Sequence, residues 1–291
     1  MAEMKIGFIG LGIMGESMCE NIINKGYPTW VYDINTQQVE KMVKLGAKAC
    51  QNLEEIARST THIITMVPAN EHITQVIEGL LPVLKKGTVI IDMSTVAPSV
   101  SRTLAEKVKK RGSVMLDAPV VKSKAAAIKG ELGILVGGDG KVLEEIKPLL
   151  LCMGKEVIYL GPNGNGLVMK LLHNMLVGEI QNGVNEMLVM AKAAGLDFDA
   201  VIKSVKAGGG QNFYLDAKAD NIKNQDFVPK FSFGNMHKDI NFALDLANQL
   251  GLNLPGAKRV QEVYTQGVGD LKNEDFSASY KIIDKTSKKS K

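Results

Sequence analysis

Through the first 160 residues, short apolar runs rich in β-branched side chains alternate with amphipathic stretches, and that alternation leaves few folds open. The runs Lys5–Ile9, Thr29–Tyr32, His62–Val67, Thr88–Asp92, Val114–Asp117, Gly133–Val136 and Val157–Leu160 read as strands. Helical patterns such as Ser17–Asn24, Thr36–Lys44, Pro98–Lys110 and Val142–Leu151 lie between many of them. Strands that are apolar on both faces and joined by helices belong to a mainly parallel sheet covered on both sides. The predicted class is α/β, a Rossmann-type doubly wound domain.

The pattern changes after Gly161-Pro162-Asn163-Gly164. From Gly166 to Ala194 the chain is largely apolar and free of proline, far too long for a strand. Further helical patterns follow near 198–206, 236–250, 256–268 and 276–284. The expectation is a dinucleotide-type domain over 1–162 and an all-helical domain over 163–291, joined by one long helix.

Charge narrows the function classes. Residues 281–291 hold Lys281, Lys285, Lys288, Lys289 and Lys291 against Asp284, which accounts for the whole formal excess of +4. The body is therefore close to neutral, which argues against a nucleic-acid partner, and the basic tail is expected to fray. Cys19, Cys50 and Cys152 show neither metal nor redox spacing and read as reduced thiols of a cytoplasmic protein. The N-terminus lacks signal-peptide regions, and no run of 18 uncharged apolar residues suggests a membrane span. The histidines His62, His72, His173 and His237 show no ligand spacing with acids, so no metal is expected.

Directly after the first strand stands Gly10-Leu11-Gly12-Ile13-Met14-Gly15, opening a helix. In that context the first glycine permits a tight turn, the second lets backbone approach a pyrophosphate, and the third lets helix and strand pack closely. The helix N-terminus then offers N–H groups to the phosphates. An acid, Asp33, ends the second strand 18 residues beyond Gly15, where a carboxylate accepts from the adenosine ribose. It would repel a 2′-phosphate, and no arginine follows in Ile34-Asn35-Thr36, so NAD is expected over NADP. Two more strand ends, Val67-Pro68-Ala69-Asn70 and Asp92-Met93-Ser94-Thr95, are placed to line the same crevice. Asn70 and Ser94 or Thr95 read equally well as helix caps.

On the long helix, Lys170 and Asn174 are four residues apart and share one face. A lysine in an apolar segment is either a buried group with a lowered pKa, suited to general acid chemistry, or a snorkelling side chain. His173 reads as a packing or capping residue. Lys238-Asp239, at the start of another helix, reads as an exposed first-turn charge pair or as a second functional pair.

These motifs together resemble the β-hydroxyacid dehydrogenase family, the relatives of 3-hydroxyisobutyrate dehydrogenase. The matching stretches are GFIGLGIMGESMCENI at 7–22, DMST at 92–95, DAPV at 117–120, GNGLVMKLLHN at 164–174 and HKDINFALDLANQLG at 237–251. The resemblance implies that Lys170 is catalytic, that Asn174 bonds the substrate and that Lys238 sits near the nicotinamide. It also implies cofactor contacts from Val67, Pro68 and Thr95, with Thr95 close to the substrate. Most of the family continue DAPV with Ser-Gly-Gly or Ser-Gly-Ser, whereas this chain has Val121-Lys122-Ser123-Lys124. That run looks closer to family members that reduce sulfolactaldehyde, in which an arginine at the position of Lys122 holds the sulfonate. The implied activity is NADH-dependent reduction of a small anionic aldehyde, its acidic tail held by Lys122 and Ser123. The best candidate is 3-sulfolactaldehyde, giving 2,3-dihydroxypropane-1-sulfonate. Rival substrates are 3-hydroxyisobutyrate and tartronate or succinate semialdehyde, and rival classes are an imine reductase or a catalytically dead nucleotide-binding module. A homodimer or homotetramer is expected from the same resemblance.

Overall fold

The computed structural model describes residues 4–287, which form two compact units dividing at Lys170/Leu171. In the N-terminal unit six strands run parallel: β1 (Ile6–Ile9), β2 (Thr29–Tyr32), β3 (Lys48–Ala49), β4 (His62–Thr65), β5 (Val89–Asp92) and β6 (Val114–Asp117). Their order is β3-β2-β1-β4-β5-β6, so the winding reverses between β1 and β4. Such a reversal opens a crevice at the carboxyl ends of the strands, where ligands bind. Three more strands, β7 (Val120–Val121), β8 (Leu132–Val136) and β9 (Gly154–Tyr159), form a second sheet, with β7 antiparallel and β9 parallel to β8.

Alternation across the pleat explains why both faces are covered. Ile64, Ile91 and Leu116 enter one apolar cluster with Phe8, Met18 and Ile22, while Ile63, Ile90 and Met115 enter another with Ile56, Ile73 and Val108. The helices supplying those partners are α1 (Gly15–Asn24), α3 (Leu53–Ser59), α4 (Asn70–Leu80) and α5 (Pro98–Lys110). The remaining helices of this unit are α2 (Thr36–Lys44), α6 (Lys124–Ile128) and α7 (Gly140–Leu150).

The long helix α8 (Asn165–Ala193) runs for 29 residues. The sequence places a boundary at 162, yet the compact units divide further along, inside α8. The first turn of that helix is bonded to β6 and so belongs with the sheet. The C-terminal unit continues with α9 (Phe198–Lys206), α10 (Phe213–Lys223), α11 (Phe233–Gln249), α12 (Pro255–Leu271), a 3-10 turn (Phe276–Ala278) and α13 (Ser279–Thr286). The basic segment does not fray from residue 281, contrary to expectation. Tyr280 and Ile283 are buried, Lys281 pairs with Glu274 at 2.6 Å, and Lys192 pairs with Asp284 at 3.1 Å. Residues 288–291, which carry the other tail lysines, lie outside the described residues. Among the described residues no helix is long and apolar enough to cross a membrane.

One buried ion pair organises the end of the helical unit. Lys218 Nζ lies 2.8 Å from Asp275 Oδ1, with both residues buried. Asp275 also accepts from Ser277 Oγ and N, at 2.7 and 3.1 Å, and from Lys230 N at 3.0 Å. Burial pushes this carboxyl up, but the Lys218 ammonium and these donors outweigh burial and hold it below the usual carboxylate range. Because its folded pKa is depressed, the pair stabilises the fold above the unfolded-state value of about 3.9, and that stabilisation is lost as pH falls below it. Asp275→Ala strands a buried ammonium and should cost about 3–5 kcal/mol in urea unfolding at neutral pH. The further change Lys218→Met should recover much of that loss. A single-variant loss below about 1 kcal/mol would show that the pair behaves as an exposed one.

Candidate active site

The glycine loop after β1 has the shape its spacing requires. Gly10 has φ +95°, and a Cβ there would stand 2.3 Å from the Met66 carbonyl oxygen. A Cβ on Gly15 would stand 2.0 Å from the Gly10 carbonyl oxygen, so loop and helix touch backbone to backbone. Gly12 is different: a Cβ there meets nothing within 4 Å, leaving open space above the loop. Helix α1 begins at this point with Met14 in the capping position and no side chain capping its N–H groups. Open space over a glycine, together with an N-terminus uncapped by any side chain, fits a pyrophosphate. Within the loop Ile13 is exposed, whereas the Leu11 side chain is fully buried in the core, so Leu11 serves through its backbone. Its N–H donates to Asp33 Oδ2 at 2.5 Å, and Asn35 N donates to Asp33 Oδ1 at 2.7 Å. A carboxylate has about four acceptor positions, so these two bonds fix Asp33 while leaving capacity for ribose hydroxyls.

The loops after β4 and β5 are tied to each other. Thr65 Oγ1 and Ser94 N donate to Asp92 Oδ1 at 2.8 and 3.1 Å. Val67 N donates to Ser94 Oγ at 2.9 Å, and Ala97 N to Asn70 Oδ1 at 2.9 Å. The capping positions of α4 and α5 are Ala69 and Ala97. Asn70 and Ser94 therefore do not cap; they hold the Val67-Pro68 and Ser94-Thr95 loops in register. Asp92 is fully buried, and burial pushes its carboxyl up to about 6 against the bonds from Ser94 and Thr65.

Asp117 ends the neighbouring strand β6, where its two oxygens accept from Gly164 N at 2.6 Å and Leu167 N at 2.9 Å. From that turn α8 carries Lys170, only 8% exposed, and one turn further Asn174, 5% exposed. Lys170 is thus a buried lysine, not a snorkelling one. His173, beside them, is half-buried.

In the helical unit Asn174 Nδ2 donates to Asp239 Oδ2 at 2.7 Å, and Lys238 Nζ lies 3.0 Å from Asp239 Oδ1. The Lys238 ammonium also stands 5.1 Å over the Phe242 ring. Asp239 is 1% exposed, which excludes the surface-pair reading of Lys238-Asp239. The sequence offers Lys238-Asp239 as a candidate pair but not the bond from Asp239 to Asn174, which spans 65 residues and leaves no local pattern.

Lys122 and Ser123 lie on the turn between β7 and α6. Lys122 has φ +81°, a left-handed conformation that favours glycine and strains a lysine. Its exposed ammonium donates to the Glu131 carbonyl oxygen at 2.9 Å. Ser123 precedes α6 but does not cap it. The three cysteines are buried and unpaired, and burial raises the Cys50 thiol to about 11. Among the described residues no group of three or more His, Cys, Asp or Glu side chains could hold a metal ion.

A dinucleotide crevice of this build, in a chain that also carries a buried lysine and asparagine one turn apart, defines a nicotinamide-dependent oxidoreductase acting on CH–OH groups. Residues 5–161 match the family model described as the NAD binding domain of 6-phosphogluconate dehydrogenase. Residues 164–283 match the one described as NAD-binding of NADP-dependent 3-hydroxyisobutyrate dehydrogenase. The chain belongs to the 3-hydroxyisobutyrate dehydrogenase-like family of hydroxyacid dehydrogenases and reductases. It is 32% identical over 285 residues to 2-(hydroxymethyl)glutarate dehydrogenase of Eubacterium barkeri, covering 96% of this chain and 95% of that one. It is 33% identical over 278 residues to 3-sulfolactaldehyde reductase of Escherichia coli, covering 94% and 93%. Among solved structures, Mycobacterium tuberculosis 3-hydroxyisobutyrate dehydrogenase with L-serine superposes with a TM-score of 0.89 at 26% identity, covering 96% and 98%.

The raised Asp92 carboxyl makes a prediction with a definite sign. Between the unfolded-state value of about 3.9 and the folded value of about 6, the folded state holds the proton more tightly, so stability falls as pH rises through that window. Asp92→Asn removes this dependence. Unfolding at pH 4 and pH 8 should show the variant gaining on the parent by about 1–3 kcal/mol at the higher pH. A difference that does not change between the two pH values would contradict it.

Proposed function

We propose that the chain catalyses the NADH-dependent reduction of a small anionic aldehyde to its hydroxy acid, and the reverse oxidation, with Lys170 as the acid–base group. The observation that carries this reading is a buried lysine one helical turn from a buried asparagine, on a helix whose first turn is bonded to the dinucleotide-binding unit. Bound nicotinamide dinucleotide supplies the hydride to the carbonyl carbon, or takes it back from the carbinol. Lys170 gives its proton to the carbonyl oxygen as negative charge develops there, and takes it back in the oxidation. Asn174 holds the substrate, its amide oriented by the bond to Asp239. Lys238, fixed by Asp239 and Phe242, stands near the nicotinamide. Gly10, Gly12, Ile13, Met14 and Gly15 form the pyrophosphate cradle, and Asp33 takes the ribose. Val67, Pro68 and Thr95 complete the crevice, with Thr95 reaching the substrate as well. Asp33, followed by exposed Ile34 and by Asn35 rather than an arginine, favours NAD over NADP.

The substrate proposed first is 3-sulfolactaldehyde, with Lys122 and Ser123 holding the sulfonate. The sequence likeness to the reductase of that name and the lysine at this turn support it. A carboxylated semialdehyde is the second reading, favoured by one observation: the Lys122 ammonium already donates to the Glu131 carbonyl. A homodimer or homotetramer is part of the same proposal, supported by the exposed Met169, Leu172, Leu176 and Met190 along α8. A reducing, cytoplasmic setting fits the unpaired buried cysteines.

Lys170→Ala should lower turnover by about 10²–10⁴-fold while leaving NADH affinity nearly unchanged, measured by steady-state kinetics and fluorescence titration. Near-normal turnover would overturn the assignment. Lys122→Glu should raise KM for sulfolactaldehyde by roughly 10- to 100-fold, the loss of one charge-assisted contact, and much less for an uncharged aldehyde. Equal changes for both substrates would mean that Lys122 does not read the anion. NADH oxidation with sulfolactaldehyde and with methylmalonate, tartronate and succinate semialdehydes in parallel decides between the two substrate readings.

A further inference from the structure

Asp117 is fully buried at the end of β6, and its carboxylate accepts its hydrogen bonds from backbone N–H groups. Both oxygens are spent on backbone, one on Gly164 N and one on Leu167 N, so a single carboxylate brackets the first turn of α8 from 47 and 50 residues away. An anion is favourable at a helix N-terminus, where the macrodipole and the unsatisfied N–H groups meet. The site around it is built tightly. A Cβ on Gly137 would stand 2.6 Å from Asp117 Oδ1, and one on Gly166 would stand 2.9 Å from Oδ2. The chain entering the helix is held too: Asn163 Nδ2 donates to the Met115 carbonyl of β6 at 3.2 Å, and Arg102 Nε to the Asn163 carbonyl at 3.2 Å.

Lys170 follows Leu167 by three residues, less than one turn. Long side chains on a helix lean toward its N-terminus, over the preceding turn. Whatever fixes the turn containing Leu167 therefore fixes where the Lys170 stem begins and which way it leaves the helix. We propose that Asp117 is a positioning residue for the reaction, whose two bonds to the start of α8 set the placement of the Lys170 ammonium. A displacement of about 1 Å in a reacting group can cost on the order of 100-fold in rate, so a bracket on the adjacent turn has leverage that an ordinary cap lacks. This inference rests on the acid–base reading of Lys170 above.

The test is Asp117→Asn in the full-length protein, with active sites counted by NADH titration so that misfolded material does not enter the rate. An asparagine keeps one acceptor but turns an NH2 group toward the other backbone N–H. The expected result is a fall in kcat of roughly 10- to 100-fold with KM for NADH unchanged within about twofold. Hydrogen exchange should show faster exchange at the Gly164 and Leu167 amides. If this variant does not fold, Asp117→Ser gives the same reading, since its smaller side chain clashes with nothing and keeps at most one of the two acceptors. Unprotected amides with a kcat within about twofold of the parent would show that Asp117 merely caps a helix. A fall in kcat accompanied by an equal weakening of NADH binding would show general distortion and would equally overturn the proposal. Lys170→Ala, run in parallel, separates the two failures. If that variant keeps its turnover, the acid–base reading falls; if it is inactive while Asp117→Asn is normal, only the positioning role falls.

Discussion

Two N–H groups at the start of a helix, left without intrahelical acceptors by the geometry of the helix itself, are answered by one buried carboxylate on a strand end. That bond pair, from Gly164 and Leu167 to Asp117, makes the first turn of α8 an extension of the parallel sheet. The sheet orders the dinucleotide crevice by the reversal between β1 and β4, and the Thr65–Asp92–Ser94–Val67 network holds its loops in register. The helix leaving Asp117 carries Lys170 and then Asn174. The crevice loops and the first turn of α8 are thus referred to the same six strands.

Burying charge is costly unless each ion is met by donors or by an opposite charge. The chain meets this in three ways. Asp117 is satisfied by helix N–H groups, Asp92 by a threonine, a serine and a carboxyl pushed up to about 6, and Asp275 by Lys218 and its own turn. Asp239 sits with Asn174 on one side and Lys238 on the other. The Asp275 pair joins α10 to the turn before α13. Asp239 instead holds Asn174 and Lys238, the residues proposed to meet substrate and nicotinamide.

The sequence was most legible where local rules decide the outcome. Helices α2 and α5 and strands β2 and β6 have the bounds that periodicity implied. Asn35 caps α2 by accepting from Gln37 N, and Pro98 opens α5. It was least legible where length or long-range contact decides. Strands β3 and β7 are two residues each, too short for periodicity to mark them as strands. Helix α10 escaped because Lys218, buried by its pairing with Asp275, interrupts the apolar periodicity. The lysine–asparagine pair was visible as a spacing on α8, but its orienting carboxylate was not, since Asp239 looks like half of a surface pair until Asn174 is brought to it. Nor could composition reveal that Lys122 adopts a left-handed backbone.

In the proposed reaction α8 delivers a proton to the substrate through Lys170. A crystal structure of the protein with NAD and a bound hydroxy acid product tests it most directly. The Lys170 Nζ is expected within about 3 Å of the hydroxyl oxygen of the product, with the Asn174 amide on the same molecule. A product hydroxyl bonded to some other side chain, with the lysine directed away from it, would contradict the account.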